Sequence, residues 1–315
     1  MDIFKVSRLG FGTSQIGGPS LIKGKITGAK PLPKNEAIGI LKYAYDNGIN
    51  FFDTSDRYGN AEELLAEAFS KKRDKVVIAT KCGLTNTGKR FFSIPYINTC
   101  LENSLRRLKT DYIDIFQLTK PDVKEVTDAL LAFFAEKIKQ GKIRYFGISI
   151  IGNEDGQAYL PKKIIESFQI FYNLLFTESR DLIKNCAKNG KFVIVRSPLN
   201  SGILSGRYSM DTKFDEVDSR RTVFCGSLLK ERLEYVEKIK KYLSLSSDQV
   251  LGFALNFIFS NPKVNVVIPA ASKISQLQDY IKIFHKERRF NEKEMKKIIK
   301  FLQNEINLQG AGQLK

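Results

Sequence analysis

Asp53, Tyr58 and Lys81 are the residues of this 315-residue chain whose types and spacing could move a proton. Asp53 closes the run Asn50–Asp53 and Lys81 lies near the end of the run Val76–Cys82, both rich in β-branched or aromatic residues, as predicted strands should be. Neighbouring strands would point both charges inward, where neither is tolerable unpaired. A lysine beside a phenol favours the phenolate, which would suit Tyr58 for general acid or base work. Asp53 would keep Lys81 charged and oriented. Spacing alone leaves a second reading equally open: a buried ion pair beside a core tyrosine.

The elements that must position these residues are legible as a repeating pattern. Arg8–Gly12, Asn50–Asp53, Val76–Cys82, Tyr112–Leu118, Tyr145–Ile150, Ser167–Tyr172, Phe192–Ser197 and Val264–Ala270 read as eight strands, several of them nearly continuous apolar runs, as expected of parallel strands covered on both faces. Between them, Lys34–Asn47, Ala61–Ser70, Ile97–Leu108, Lys124–Gln140, Arg180–Lys188 and Ile274–Phe284 show helical spacing. The stretch between Ile150 and Ser167 is the weak module, with a short helix signal interrupted by Pro161. Eight alternating strands and helices predict one α/β domain over residues 1–315, a (β/α)8 barrel with extended βα loops and extra C-terminal helices. The long connections are Ser14–Lys34 and Asn200–Gly226, and a helical tail follows Phe290. In such a barrel the C-terminal strand ends share one mouth, so Asp53, Lys81 and the end of the fourth strand, Gln117-Leu118-Thr119-Lys120, would meet there.

Composition narrows the function classes. Apolar content of 43% and charged content of 27% are ordinary for a soluble globular protein, and no run approaches the ~18 apolar residues of a membrane helix. The first residues lack a signal-peptide layout, and the four cysteines (Cys82, Cys100, Cys186, Cys225) are widely spaced, so reduced thiols in a cytoplasmic protein are expected. A net charge of +17 would attract an anionic partner, but the basic residues are scattered and ordinary surface charge explains them as well. The run Lys286 to Lys300 reads as a solvated helix face. No basic patch with interleaved aromatics argues for nucleic acid, no metal-ligand spacing argues for a metal, and nothing sets an oligomeric state.

From Leu9-Gly10-Phe11-Gly12-Thr13 through Gly48-Ile49-Asn50-Phe51-Phe52-Asp53-Thr54 with Tyr58-Gly59, the chain resembles the opening of an aldo-keto reductase. The likeness continues through Thr80-Lys81, Ser104-Leu105-Arg106-Arg107-Leu108 with Asp111-Tyr112-Ile113-Asp114, and Gly141-Lys142-Ile143-Arg144-Tyr145-Phe146-Gly147-Ile148-Ser149. It is carried further by Gln169 with Tyr172-Asn173, Ser197-Pro198-Leu199 with Gly202-Ile203-Leu204-Ser205-Gly206, and Ile268-Pro269-Ala270-Ala271 with Gln276-Leu277. The resemblance implies a four-part site of Asp53, Tyr58, Lys81 and a histidine at the end of strand four. Here that position is Thr119, and the one histidine, His285, falls late in a peripheral helix. A threonine hydroxyl can donate one hydrogen bond, without the reach of imidazole or its pKa near neutrality.

The same resemblance implies NADP(H) as cofactor, ahead of NAD(H). Gly10-Phe11-Gly12-Thr13-Ser14-Gln15 misses the third glycine of the dinucleotide fingerprint, which disfavours a Rossmann reading. Gly12 and Thr13 fall in the matching opening segment, and Ser149 and Gln169 would hold the nicotinamide carboxamide. Ile150 stands where relatives often have asparagine. Arg196 occupies the place of a stacking aromatic, and a planar guanidinium can also stack. Ser197, Pro198, Leu199, Gly202, Ser205, Gly206 and Arg207 would fold over the pyrophosphate, and Ala271, Ser272, Lys273 and Gln276 would meet the adenosine 2′-phosphate, Ser272 where relatives often carry Arg or Lys.

The expected activity is hydride transfer to or from a carbonyl or alcohol of a small polar substrate, with Tyr58 as general acid/base. A sugar or nucleotide-linked sugar suits the positive charge and the lack of Trp, and Lys89, Arg90, Lys120, Arg220 and Arg221 on βα loops could meet a phosphate. A different class also fits, a cofactor-binding regulatory or sensor protein with little turnover because Thr119 replaces the family's histidine. Delivery of hydride to an activated C=C bond is a third reading.

Overall fold

The computed structural model describes residues 2–22, 25–150, 153–286 and 288–305. Its strands are β1 (Phe11–Gly12), β2 (Pro19–Ile22), β3 (Lys25–Gly28), β4 (Phe51–Asp53), β5 (Val77–Cys82), β6 (Ile113–Thr119), β7 (Ile143–Ile150), β8 (Ile165–Phe171), β9 (Phe192–Arg196) and β10 (Val266–Val267). The helices are α1 (Lys34–Asp46), α2 (Ala61–Ala68), α3 (Ile94–Leu108), α4 (Asp128–Lys139), α5 (Asn153–Tyr159), α6 (Arg180–Lys188), α7 (Ser219–Val223), α8 (Leu228–Leu243), α9 (Ser247–Phe259), α10 (Ile274–His285) and α11 (Glu292–Glu305).

Eight strands pair in parallel in the order β1-β4-β5-β6-β7-β8-β9-β10. The ends meet through bridges from Leu9 to Val267 and from Gly12 to Ala270, with Gly10 N–H donating to the Val267 carbonyl at 2.8 Å. The sheet is therefore closed, and its edges vanish. All eight predicted strands and all six predicted helices are present within a few residues. The weak module also holds a helix, the seven-residue α5.

Period-two alternation divides each strand between two environments. Phe51, Val77, Ala79, Ile115, Phe192, Ile194 and Val266 fill the barrel interior, with Ile3 plugging its N-terminal end. Phe52, Ile78, Phe116, Ile148, Phe168 and Val193 face outward and pack under the helices. The interior changes character toward the C-terminal ends, where the next inward positions are Asp53, Lys81, Gln117, Ser149, Gln169 and Arg196 rather than apolar residues. Small residues let the interior close: a Cβ on Gly147 would come within 2.8 Å of the Ser167 carbonyl oxygen.

The long connections hold structure of their own. Ser14–Lys34 contains the antiparallel hairpin β2–β3, and Asn200–Gly226 contains a 3-10 segment, Asn200–Ser205, and α7. The helices α8 and α9 were not among the sequence expectations; α9 is apolar around most of its surface and buries Val250, Leu251, Ala254, Leu255, Phe257, Ile258 and Phe259, so its periodicity is weak. In α11, Met295, Ile298, Ile299 and Leu302 face the protein while Lys293, Lys296, Lys297 and Lys300 are exposed, the solvated face expected of the basic run. Residues 23–24 of the first connection, 151–152 of the weak module, Glu287 of the basic run and 306–315 of the tail lie outside the described residues. No helix among the described residues is long and apolar enough to cross a membrane.

Candidate active site

Strand register brings the singled-out residues to one end of the barrel. Gly12 pairs with Asp53, Lys81 with Gln117, and Thr119 with Ser149, which in turn pairs with Gln169. The Lys81 Nζ donates to Asp53 Oδ1 at 2.6 Å and to the Thr54 carbonyl at 2.7 Å, and both side chains are buried. The other carboxylate oxygen, Oδ2, accepts from Gln169 Nε2 at 2.6 Å and from Gln117 Nε2 at 3.5 Å. Burial alone would discharge Lys81; the Asp53 carboxylate and the Tyr58 phenol outweigh it and raise the ammonium's pKa above its ordinary value. The ammonium lies 4.9 Å from the centroid of the Tyr58 ring.

Tyr58 lies on a turn that is locked from below. The Asn60 N–H donates to the Gly17 carbonyl at 2.9 Å, and the Ser20 hydroxyl donates to Arg57 O while accepting from Gly59 N–H. Gly59 has φ +53°, and a Cβ on Gly17 would fall 1.8 Å from the Tyr58 carbonyl oxygen, a backbone atom that cannot swing away. Gly17→Ala is therefore expected to push the Tyr58 turn outward and lower kcat at least about tenfold by misplacing the phenol, a loss that steady-state kinetics would measure.

Behind β5, Thr80 donates to Glu62 Oε1 at 2.6 Å, and Arg107 Nε donates to Glu62 Oε2 at 2.7 Å. Near them Asp56 is partly buried. Its burial, with the Glu62 charge behind it, raises its pKa from 3.8 to about 7. Between those values the unfolded chain releases this proton while the folded protein keeps it, so stability falls as pH rises through that window and then levels off. Asp56→Asn is expected to stabilise the protein at pH 8 by roughly 1–3 kcal/mol after allowance for solvent contact, with the gain vanishing by pH 4. Thermal unfolding at the two pH values checks this.

The site opens into a cleft of about 500 Å³. All four residues expected to be catalytic, Asp53, Tyr58, Lys81 and Thr119, line it. So do Gly12, Ser149, Gln169, Arg196, Ser197, Pro198, Leu199, Gly202, Ser205, Arg207, Ala271, Ser272 and Gln276 from the cofactor expectation. Three expected residues stand off the wall. Thr13 is buried with its hydroxyl donated to the Asp53 carbonyl at 3.0 Å, Gly206 turns back against α9, and Lys273 is exposed just before α10. His285 is exposed at the far end of α10, as expected.

Several side chains already have partners. Ser149 Oγ donates to Gln169 Oε1 at 3.1 Å, so Gln169 links Ser149 to Asp53 and keeps one lone pair and one N–H for a ligand. Arg207 pairs with Asp279 at 2.6 Å, and Ser272 N–H donates to Gln276 Oε1 at 2.9 Å. Arg196 donates to the Ile150 carbonyl at 3.3 Å and lies over the Phe171 ring, while its buried Nε has no partner. The loop from Ser197 has left-handed backbone at Ser197, Asn200, Ser201 and Gly202, and the buried Asn200 Nδ2 is also without a partner. Gln117 was missed as a site residue because a glutamine in a buried strand reads as ordinary core polarity; its inward register beside Lys81 was the available signal. Ser14, Gln15, Ser55, Arg57 and Tyr208 line the cleft from loops whose course spacing does not give.

Comparison with known proteins agrees with this architecture. The sequence pattern of the Aldo/keto reductase family matches residues 8–303. The chain is similar to the holo form of aldo-keto reductase AKR11C1 from Bacillus halodurans, with a TM-score of 0.74, 27% identity and coverage of 94% of this chain and 92% of that one. It is equally similar in fold to the glycerol dehydrogenase AKR11B4 from Gluconobacter oxydans, with a TM-score of 0.74, 25% identity and coverage of 95% and 92%. Among curated proteins it is 27% identical over 297 residues to L-glyceraldehyde 3-phosphate reductase of Escherichia coli (strain K12), covering 85% of this chain and 84% of the relative. A closed parallel barrel, a polar end built around Asp53 and Lys81, and a family match over nearly the whole length lead to one assignment: the chain belongs to the aldo/keto reductase family, and it is an oxidoreductase of that type.

Proposed function

We propose that the protein is a cytoplasmic NADP(H)-dependent reductase of small polar carbonyl compounds, with Tyr58 as the proton donor. The observation that carries this reading is the buried Lys81–Asp53 pair beneath the Tyr58 ring at the foot of the cleft. NADPH, when bound, supplies a hydride to the carbonyl carbon. The phenol of Tyr58 gives its proton to the carbonyl oxygen, and the Lys81 ammonium stabilises the charge left on the phenolic oxygen. Asp53 holds the ammonium in place and is itself held by Gln169 and Gln117, so the proton-transfer group rests on three strands. Thr119 offers a single hydroxyl donor toward the substrate oxygen where the family resemblance implies an imidazole.

The residues on the wall fit a dinucleotide. Ser149 and Gln169 present hydroxyl and amide groups suited to a carboxamide, and the partnerless Asn200 Nδ2 is a buried donor that an acceptor would satisfy. The serine-rich loop after β9 and the start of α10, with Ser272 and Gln276, offer N–H and hydroxyl donors of the kind that hold phosphates. Glycerol and glyceraldehyde 3-phosphate, named for two relatives, are short and hydroxylated, which supports a sugar-like substrate here.

Purified protein mixed with NADPH or NADH and a panel of aldehydes, ketones and keto-sugars should oxidise NADPH, with kcat/KM at least about tenfold above that for NADH. Tight NADPH binding with no carbonyl reduced would overturn the reductase reading in favour of a cofactor-sensing protein.

A further inference from the structure

Two cations line the cleft with no carboxylate paired to either among the described residues. Lys120 follows Thr119 at the end of β6, and Arg196 ends β9; both line the cleft with Tyr58 and Lys81. Of the other basic groups nearby, Lys81 is matched by Asp53 at 2.6 Å, Arg90 by Asp122 through hydrogen bonds of 3.0 and 3.1 Å, Arg207 by Asp279 and Arg220 by Asp218. Among the described residues no carboxylate lies within ion-pair distance of Lys120 or Arg196.

The backbone holds Lys120 in this place. It has φ +55°, a left-handed conformation uncommon for a lysine. Its N–H donates to the Ser149 carbonyl at 2.7 Å and its carbonyl accepts from Arg90 at 2.7 Å, so two neighbouring elements clamp the turn. Arg196 is anchored through one NH2 group to the Ile150 carbonyl, leaving its Nε free of partners. Burial first, then repulsion from Arg196 and Arg90, lowers the Lys120 ammonium to about 8. Two desolvated like charges facing one cavity are unfavourable by themselves, and an anion between them would remove both penalties. A guanidinium fork next to a mobile ammonium suits a carboxylate or a phosphate.

We propose that Lys120 and Arg196 form a recognition site for an anionic group on the substrate, a carboxylate or phosphate a few bonds from the carbonyl that Tyr58 protonates. The proposal rests on the reductase reading for the position of the carbonyl, whereas the anion site itself rests on the two cations.

Matched carbonyl pairs test it: succinic semialdehyde against butanal for carboxylate, and glyceraldehyde 3-phosphate against glyceraldehyde for phosphate. The wild-type protein should prefer the charged member of at least one pair by about 30-fold in kcat/KM. In Lys120→Met that preference should fall at least about tenfold, chiefly through KM, and Lys120→Arg should restore most of it. Calorimetric titration with glycerol 3-phosphate and with glutarate gives a readout that needs no turnover, and the ligand that matches the preferred pair should bind at least about tenfold more weakly to Lys120→Met. Equal kcat/KM within both pairs in the wild type would overturn the proposal, as would titrations that Lys120→Met leaves unchanged. If no carbonyl is reduced yet anion binding still depends on Lys120, the anion site stands and the reductase reading fails.

Discussion

Tyr58→Phe is expected to reduce turnover by about 10³-fold or more while leaving NADPH affinity within about twofold of the wild-type value. General acid catalysis by a positioned side chain contributes about 10²–10⁴ in rate, and the phenol is the group set directly over the charged Lys81. The substitution keeps the ring and removes only the hydroxyl. The turn is fixed by backbone contacts to Gly17 and Ser20, not by the phenol, so the phenylalanine ring should occupy the same place. Single-turnover kinetics with NADPH in excess isolate the chemical step. The loss should fall on that step with little change in the cofactor's dissociation constant, since a uniform loss of binding would place Tyr58 in cofactor contact instead.

Lys81→Met should fail in two separable ways. Removing one partner of a buried ion pair strands the other, at a cost of about 3–5 kcal/mol, because Asp53 would keep only Gln169, Gln117 and whatever water enters. In a protein of this size that corresponds to a fall of roughly five to eight degrees in Tm. Turnover should drop by about 10²–10³-fold because charge left on the phenolic oxygen loses its nearest cation. The double substitution Lys81→Met with Asp53→Asn distinguishes the effects: it removes both charges, so it should recover much of the Tm and none of the rate. Recovery of the rate as well would mean that the pair serves the fold and not the chemistry.

Most of the barrel could be read from the chain because its strands alternate with amphipathic helices whose periods differ, 2 against 3.6. Phe51-Phe52-Asp53 shows why the site was legible too. One phenylalanine fills the interior, the next packs under the helices, and the aspartate returns inward where no lone charge can stay. The same logic held for Val77 through Lys81. Where neighbouring chemistry depends on which loop folds over which strand, spacing says little, and Lys120 is the case in point. In sequence it is one of five basic loop residues that could meet a phosphate; its half-buried place in the cleft with Arg196 follows from register across β6 to β9 and from a left-handed turn. Conversely, Asp111-Tyr112-Ile113-Asp114 supports the family likeness but lies away from the cleft. Asp114 is buried between Arg73 at 2.8 Å and Arg144 at 3.0 Å, both guanidiniums stacked on Tyr112, a tie between strand starts and the connection before β5. The helix α9 went unread because it is broadly apolar, and α8 because it follows a long connection rich in polar residues.

The most direct test of the central claim is isotopic. Wild-type protein is incubated with NADPH deuterated at one face of nicotinamide C4, then with the opposite epimer, and a carbonyl substrate from the panel. Deuterium should reach the carbinol carbon of the product from one epimer only, at a rate that Tyr58→Phe suppresses by about 10³-fold. Product carrying no deuterium from either epimer, or an undiminished rate with Tyr58→Phe, would contradict a tyrosine-assisted hydride transfer in this cleft.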